Sequence, residues 1–89
     1  MNEEQARKLR YVDKTLAKAE RLLRRFRRLL ERLGSRLDRV LHFAGVDPRR
    51  FGIDRLFRTH IRLEDCVEDT TARIKAARDT VTDLLNELV

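Results

Sequence analysis

Residues 9–44, LRYVDKTLAKAERLLRRFRRLLERLGSRLDRVLHFA, decide the fold. Within them Leu9, Val12, Leu16, Ala19, Leu23, Phe26, Leu30, Leu33, Leu37, Val40 and Ala44 recur at alternating spacings of three and four. That interval averages about 3.5 residues, so these positions form one narrow a/d seam that stays turned toward a partner helix as two helices supercoil. Leu22, Leu29, Leu41 and Phe43 lie beside the seam and widen it, which points to more than one packing partner. Gly34 and Ser35 interrupt the stretch, and Ser35 with Asp38 offers an alternative helix start. The heptad phase nonetheless runs unaltered from Leu33 to Leu37, and a lone helical glycine costs only about 1 kcal/mol, so a continuous helix is expected.

Working outward, Asn2 followed by Glu3, Glu4 and Gln5 reads as an N-cap with acids in the first turn, placing the helix at about 3–44. The segment GVDPRRFG at 45–52 is the one clear turn. Gly45 suits the position after a helix end, and Asp47 before Pro48 suggests a short helical turn over 48–51 that Gly52 closes. A second seam follows without a phase slip: Ile53, Leu56, His60, Leu63, Val67, Thr70, Ile74, Ala77, Val81, Leu84 and Leu88. The two arms match in length, at about 54 Å each, and so short a connection makes neighbouring helices antiparallel. The expected fold is all-α, a single domain over 1–89 with helices at about 3–44 and 53–88 around a turn at 45–52.

Composition supports this reading. Charged residues make up 40% of the 89, aromatics 6%, and there are three glycines and one proline, a balance of long helices rather than sheets. A two-helix hairpin leaves half of each apolar stripe in water, so self-association into a four-helix bundle or larger oligomer, or docking on a helical protein partner, is expected. Leu22, Leu23, Phe26, Leu29, Leu30, Phe43 and Phe57 are the residues expected to carry that interaction, with Leu85 also in need of cover.

The net charge of +6 is unevenly spread: residues 1–52 hold 15 Lys/Arg and 7 Asp/Glu, residues 53–89 hold 6 and 8. The basic residues of the first arm fall mostly along one line of the helix, opposite the seam. Arg21, Arg24, Arg25, Arg28, Arg32 and Arg36 could follow a phosphate backbone, in which case binding would be sequence-independent and weakened by salt. No helix-turn-helix, zinc-finger or aromatic stacking pattern accompanies them. Nucleic acid or another polyanion is therefore the alternative partner to a helical protein.

Catalytic signatures are missing from the sequence. Small helical enzymes such as chorismate mutases hold anionic substrates with arginines in the bundle interior, whereas all eleven seam positions of the first arm are apolar, so no enzyme activity is expected. No cofactor is expected either. Among polar candidates, His60 occupies a seam position, where it is either a polar register group or a ring satisfied by backbone or water. His42 points outward beside Leu41 and Phe43. Glu64, Asp65, Glu68 and Asp69 present paired carboxylates at helical spacing, with Asp65 and Asp69 as candidate ligands for a hard divalent cation and a solvated face as the commoner outcome. The single cysteine, Cys66, fits a reducing compartment, and no run approaches the roughly 18 apolar residues of a membrane span. The N-terminal MNEEQARK lacks the apolar core of a signal peptide, and a soluble cytoplasmic chain is expected.

The stretch RLEDCVEDTTARIKAARDTVTDLLNELV at 62–89 resembles the cytoplasmic stalk of CorA-type magnesium transporters in residue spacing, through Asp65, Arg78, Asp79, Leu84 and Leu85. The arginine-rich first helix followed by an Asp-Pro turn is similar to that family's cytoplasmic helical hairpin. The family's membrane helices, Gly-Met-Asn pore motif and N-terminal mixed domain are absent from this sequence. What the resemblance implies is an oligomerising, metal-responsive hairpin, with Asp65 and Asp69 as its carboxylates.

Overall fold

Asn2 and Gln5 start the first helix by capping each other. The Asn2 side-chain oxygen accepts from the Gln5 amide at 2.9 Å, and the Gln5 side-chain oxygen accepts from the Asn2 amide at 3.2 Å, satisfying two donors that a helix start leaves open. From there α1 runs unbroken over Glu3–Ala44. The computed structural model describes residues 2–44 and 52–87. The expected turn about Asp47 and Pro48, the side chain of Phe43 and the seam residue Leu88 lie outside the described residues.

Helix α2 spans Ile53–Glu87. Gly52 opens it with φ +68°, a left-handed conformation suited to glycine, while its carbonyl accepts the Leu56 amide at 3.2 Å. The helices pack antiparallel as a rod whose Cα atoms span 64 × 16 × 14 Å. The long dimension is that of α1 itself, 42 residues at about 1.5 Å each.

Gly34 does not break α1, and its surroundings explain why a glycine stands there. The His60 ring lies against it so closely that a Cβ at position 34 would sit 2.9 Å from the ring's Cε1. His60 is buried, with Nε2 donating to the Leu30 carbonyl at 2.6 Å. It is therefore a core histidine satisfied by the backbone of the opposing helix.

The seam does not meet its counterpart heptad for heptad. With Leu9 and Ile53 as position a, the residues turned toward the opposing helix are a and e: Leu9, Asp13, Leu16, Glu20, Leu23, Leu30, Gly34, Leu37 and Leu41 on α1, and Ile53, Phe57, His60, Val67, Thr71, Ile74, Arg78, Val81 and Leu85 on α2. Most large apolar residues at d turn outward, although Leu84, like the smaller d residues Ala19, Thr70 and Ala77, is half-buried. Val12, Phe26, Leu33 and Val40 on α1 and Leu56 and Leu63 on α2 are all exposed. Each helix is thus rotated by about one seventh of a turn from the orientation that would bury a and d together.

Little is buried as a result. The buried residues among those described are Ala6, Leu30, His60, Val67 and Val81, and no large side chain is fully enclosed. The chain exposes 7724 Å², against about 5500 Å² for a compact protein of this mass. Its radius of gyration is 19.7 Å, where a compact chain of this length has about 12 Å.

Candidate interaction site

An antiparallel pair that touches through a and e has two unlike faces, because the e positions of both helices fall on one side and the d positions on the other. Contacts across the e side confirm its composition. Arg78 donates from Nε to Asp13 at 3.1 Å and from Nη1 to Glu20 at 3.0 Å. These two carboxylates, Asp13 first, raise the arginine's pKa above its ordinary value. Further along, Arg27 and Glu31 share a small groove with Glu64, Asp65 and Glu68. Gly34, Ser35 and Asp38 line the next hollow with Phe57, His60, Ile61 and Glu64. His60 Nδ1 lies 2.7 Å from a Glu64 carboxylate oxygen, so each ring nitrogen faces an acceptor; the imidazolium donates to both, the neutral ring to one.

The opposite face is apolar. Its d positions are Val12, Ala19, Phe26, Leu33 and Val40 on α1 and Leu56, Leu63, Thr70, Ala77 and Leu84 on α2, and the g positions Leu22 and Leu29 extend it. Leu22 is 56% exposed, Leu29 57% and Phe26 42%, values of surface residues on side chains whose chemistry belongs in a core. Leucines and a phenylalanine standing together at this exposure form a contiguous apolar patch of the kind that monomeric proteins keep small. Leu22, Leu29, Lys18, Arg25, Arg32, Arg36 and Arg39 border it on the α1 side.

The predicted interaction residues therefore divide. Leu22, Phe26 and Leu29 stand together on the open face, whereas Leu30 is buried and Leu23 and Phe57 are half-buried within the hairpin. Of the arginine ridge, Arg21, Arg24, Arg25, Arg28, Arg32 and Arg36 are exposed as expected. Arg24 pairs with Glu20 at 3.7 Å, and Arg28, Arg32 and Arg36 line one open hollow with Arg39, Ser35 and Glu31.

The acidic run is drawn into local pairs: Glu64 holds His60, and Asp69 accepts from Arg73 at 3.1 Å. Asp65 lies in the groove beside Arg27. Among the described residues no three His, Cys, Asp or Glu side chains converge as a metal site, and no helix is long and apolar enough to cross a membrane.

The Asp13–Arg78–Glu20 bridge escaped the sequence reading, although a signal for it existed. Two acids stand on a mainly basic helix at e positions one heptad apart, level with an e-position arginine of the other arm. No protein-family model matches the chain, and searches of curated proteins and of solved structures return no match.

Proposed function

We propose that this chain is a non-enzymatic interaction module that associates with other helices through the d/g face of its hairpin. The uncovered apolar face carries the proposal: removing about 25 cal/mol of unfavourable hydration per Å² is available only if helices cover it. On the e face Arg78 pairs with Asp13 and Glu20, and His60 with Glu64, so these charges are met within the hairpin, and the larger set of exposed apolar residues stands on the opposite side. The test is the pair of charge insertions Phe26→Glu and Leu29→Glu. Both sites are exposed in the hairpin, so the double variant should keep the helix content seen by circular dichroism while losing association in sedimentation. A wild-type chain that stays monomeric at micromolar concentration and binds no apolar dye on this face would defeat the reading.

A second reading has its own observation. Arg28, Arg32, Arg36 and Arg39 converge on one hollow of α1, a concentration of guanidinium groups suited to phosphate oxygens. It predicts that duplex or single-stranded DNA shifts the chain at low salt and that the shift fades steeply as salt rises. Arg28→Glu with Arg32→Glu should abolish it, and no shift at low salt removes this reading.

A further inference from the structure

The way each seam is aimed says what covers it. In a square bundle of four helices, a and d point along the diagonal toward the centre, e flanks one neighbour and g the other. The hairpin has that geometry for two adjacent corners: a and e are engaged, with His60 clasped at a and the Arg78 bridge at e, and d and g wait on the other side. What is missing is a second antiparallel pair of the same length.

Resting on the interaction-module reading, the geometry points to a second copy of this chain as that pair. The two copies stack face to face about a twofold axis parallel to the helices, with α1 of each lying antiparallel on α2 of the other. Area favours it: a face 64 Å long and 16 Å wide has a footprint of about 1000 Å² per copy, or about 2000 Å² in all, as large as standard stable interfaces.

Charge selects the arrangement. Helix α1 carries 13 Lys/Arg against 6 Asp/Glu, a net +7, and α2 carries 6 against 8, a net −2. Stacking α1 on α1 would set two strongly basic rims side by side, whereas stacking α1 on α2 sets the basic rim against an edge without net charge, where Arg55, Arg62 and Arg73 are balanced by Asp69, Asp83 and Glu87 at the g and c positions.

Symmetry then fixes the register, because a twofold axis parallel to the helices keeps every residue at its own level. Arg78, bonded to both Asp13 and Glu20, and His60 over Gly34 mark which residues are level within one copy. The same levels across copies bring Lys8 opposite the partner's Glu87, Thr15 opposite the partner's Thr80, Leu29 opposite the partner's Cys66 and Arg36 opposite the partner's Thr59. None of these g pairs is like-charged. Farther out, Arg25 stands level with the partner's Asp69, while Arg32 and Arg39 meet the partner's Arg62 and Arg55 only at the solvated edge.

Leu29→Cys tests this directly, since position 29 is exposed and its replacement leaves the hairpin core untouched. Within one chain, residues 29 and 66 sit on helix sides that diverge, so a disulfide between them forms only across copies. Under copper-phenanthroline oxidation, most of the Leu29→Cys protein should run as a covalent dimer on a non-reducing gel, and the Leu29→Cys/Cys66→Ala protein should not. Sedimentation of the wild type should give twice the chain mass of 10.6 kDa. Equal cross-linking without Cys66 would show α1 lying on α1 and overturn the arrangement, as would a dimer that fails to cross-link at all, although either leaves the interaction module standing. A wild-type monomer that binds the apolar dye ANS would overturn the second copy as occupant while leaving the face a docking site for another protein. A monomer that does not bind the dye would overturn both.

Discussion

Replacing Gly34 with alanine should destabilise this protein, although the same change at an exposed helical glycine normally stabilises. Alanine gains about 1 kcal/mol over glycine in a helix interior. Here its methyl group would stand 2.9 Å from His60 Cε1 and 3.2 Å from Nε2. The ring has little room to yield, because it is buried and held between the Leu30 carbonyl at 2.6 Å and the Glu64 carboxylate at 2.7 Å. Displacing it forfeits a buried hydrogen bond, at about 1–3 kcal/mol. A strained side-chain rotamer adds about 1 kcal/mol. The net expectation is a loss of about 1–3 kcal/mol. In a His60→Ala background the obstacle is gone, and Gly34→Ala should there stabilise by about 1 kcal/mol. The assay is a double-mutant cycle by urea and thermal unfolding at one fixed protein concentration, where each kcal/mol moves the midpoint of a domain this size by about 4–8 °C. If Gly34→Ala stabilises by the same amount with and without His60, the packing of that ring on the glycine is refuted.

Three further outcomes follow from other contacts. Arg78→Met should lower the urea-unfolding midpoint by leaving Asp13 and Glu20 without their shared cation, and the deficit should shrink in 1 M salt; Arg73→Met, at a pair far more open to water, should change stability by less than half as much. Gly52→Ala should cost about 1 kcal/mol in thermal unfolding, because the left-handed φ of +68° strains an L side chain even where its Cβ meets open space. Leu30→Ala should lose about 2–5 kcal/mol in urea unfolding, while Leu29→Ala should leave the fold intact and weaken only association measured by sedimentation, since Leu30 is buried and Leu29 is 57% exposed.

The two helices and the continuity of α1 through Gly34 were legible because heptad spacing and capping are local signals. The orientation of the seam was not. A run of apolar residues over a, d and g reports the centre of the arc to be covered, and a reading that seats one helix at that centre overlooks a neighbour sitting on its edge. Asp13, Glu20, Arg27 and Gly34 define that edge, and none of them registers in a search for apolar periodicity. His60 could be placed at a seam position, but its carbonyl partner and the glycine that accommodates it belong to the opposing helix, thirty residues or so away. Leu22, Phe26 and Leu29 were all among the residues expected to carry the interaction; that these three share one open face while Leu23, Leu30 and Phe57 turn into the hairpin is visible only once both helices are in place.

The cross-helix bonds also differ in how much chain each must close. His60 to Leu30 spans 30 residues, Arg78 to Glu20 spans 58, and Arg78 to Asp13 spans 65. Closure entropy rises by about 0.6 kcal/mol for each doubling of that span. The histidine clasp thus closes the shortest loop of the three, and once it is shut the outer pairs join one turn at a time rather than by a fresh search. The molecule should assemble in the manner of a zip fastener whose slider starts beside the turn. Hydrogen exchange measured during refolding should show amides near Leu30 and His60 protected before those near Asp13 and Arg78, and the reverse order would show that the free ends lead.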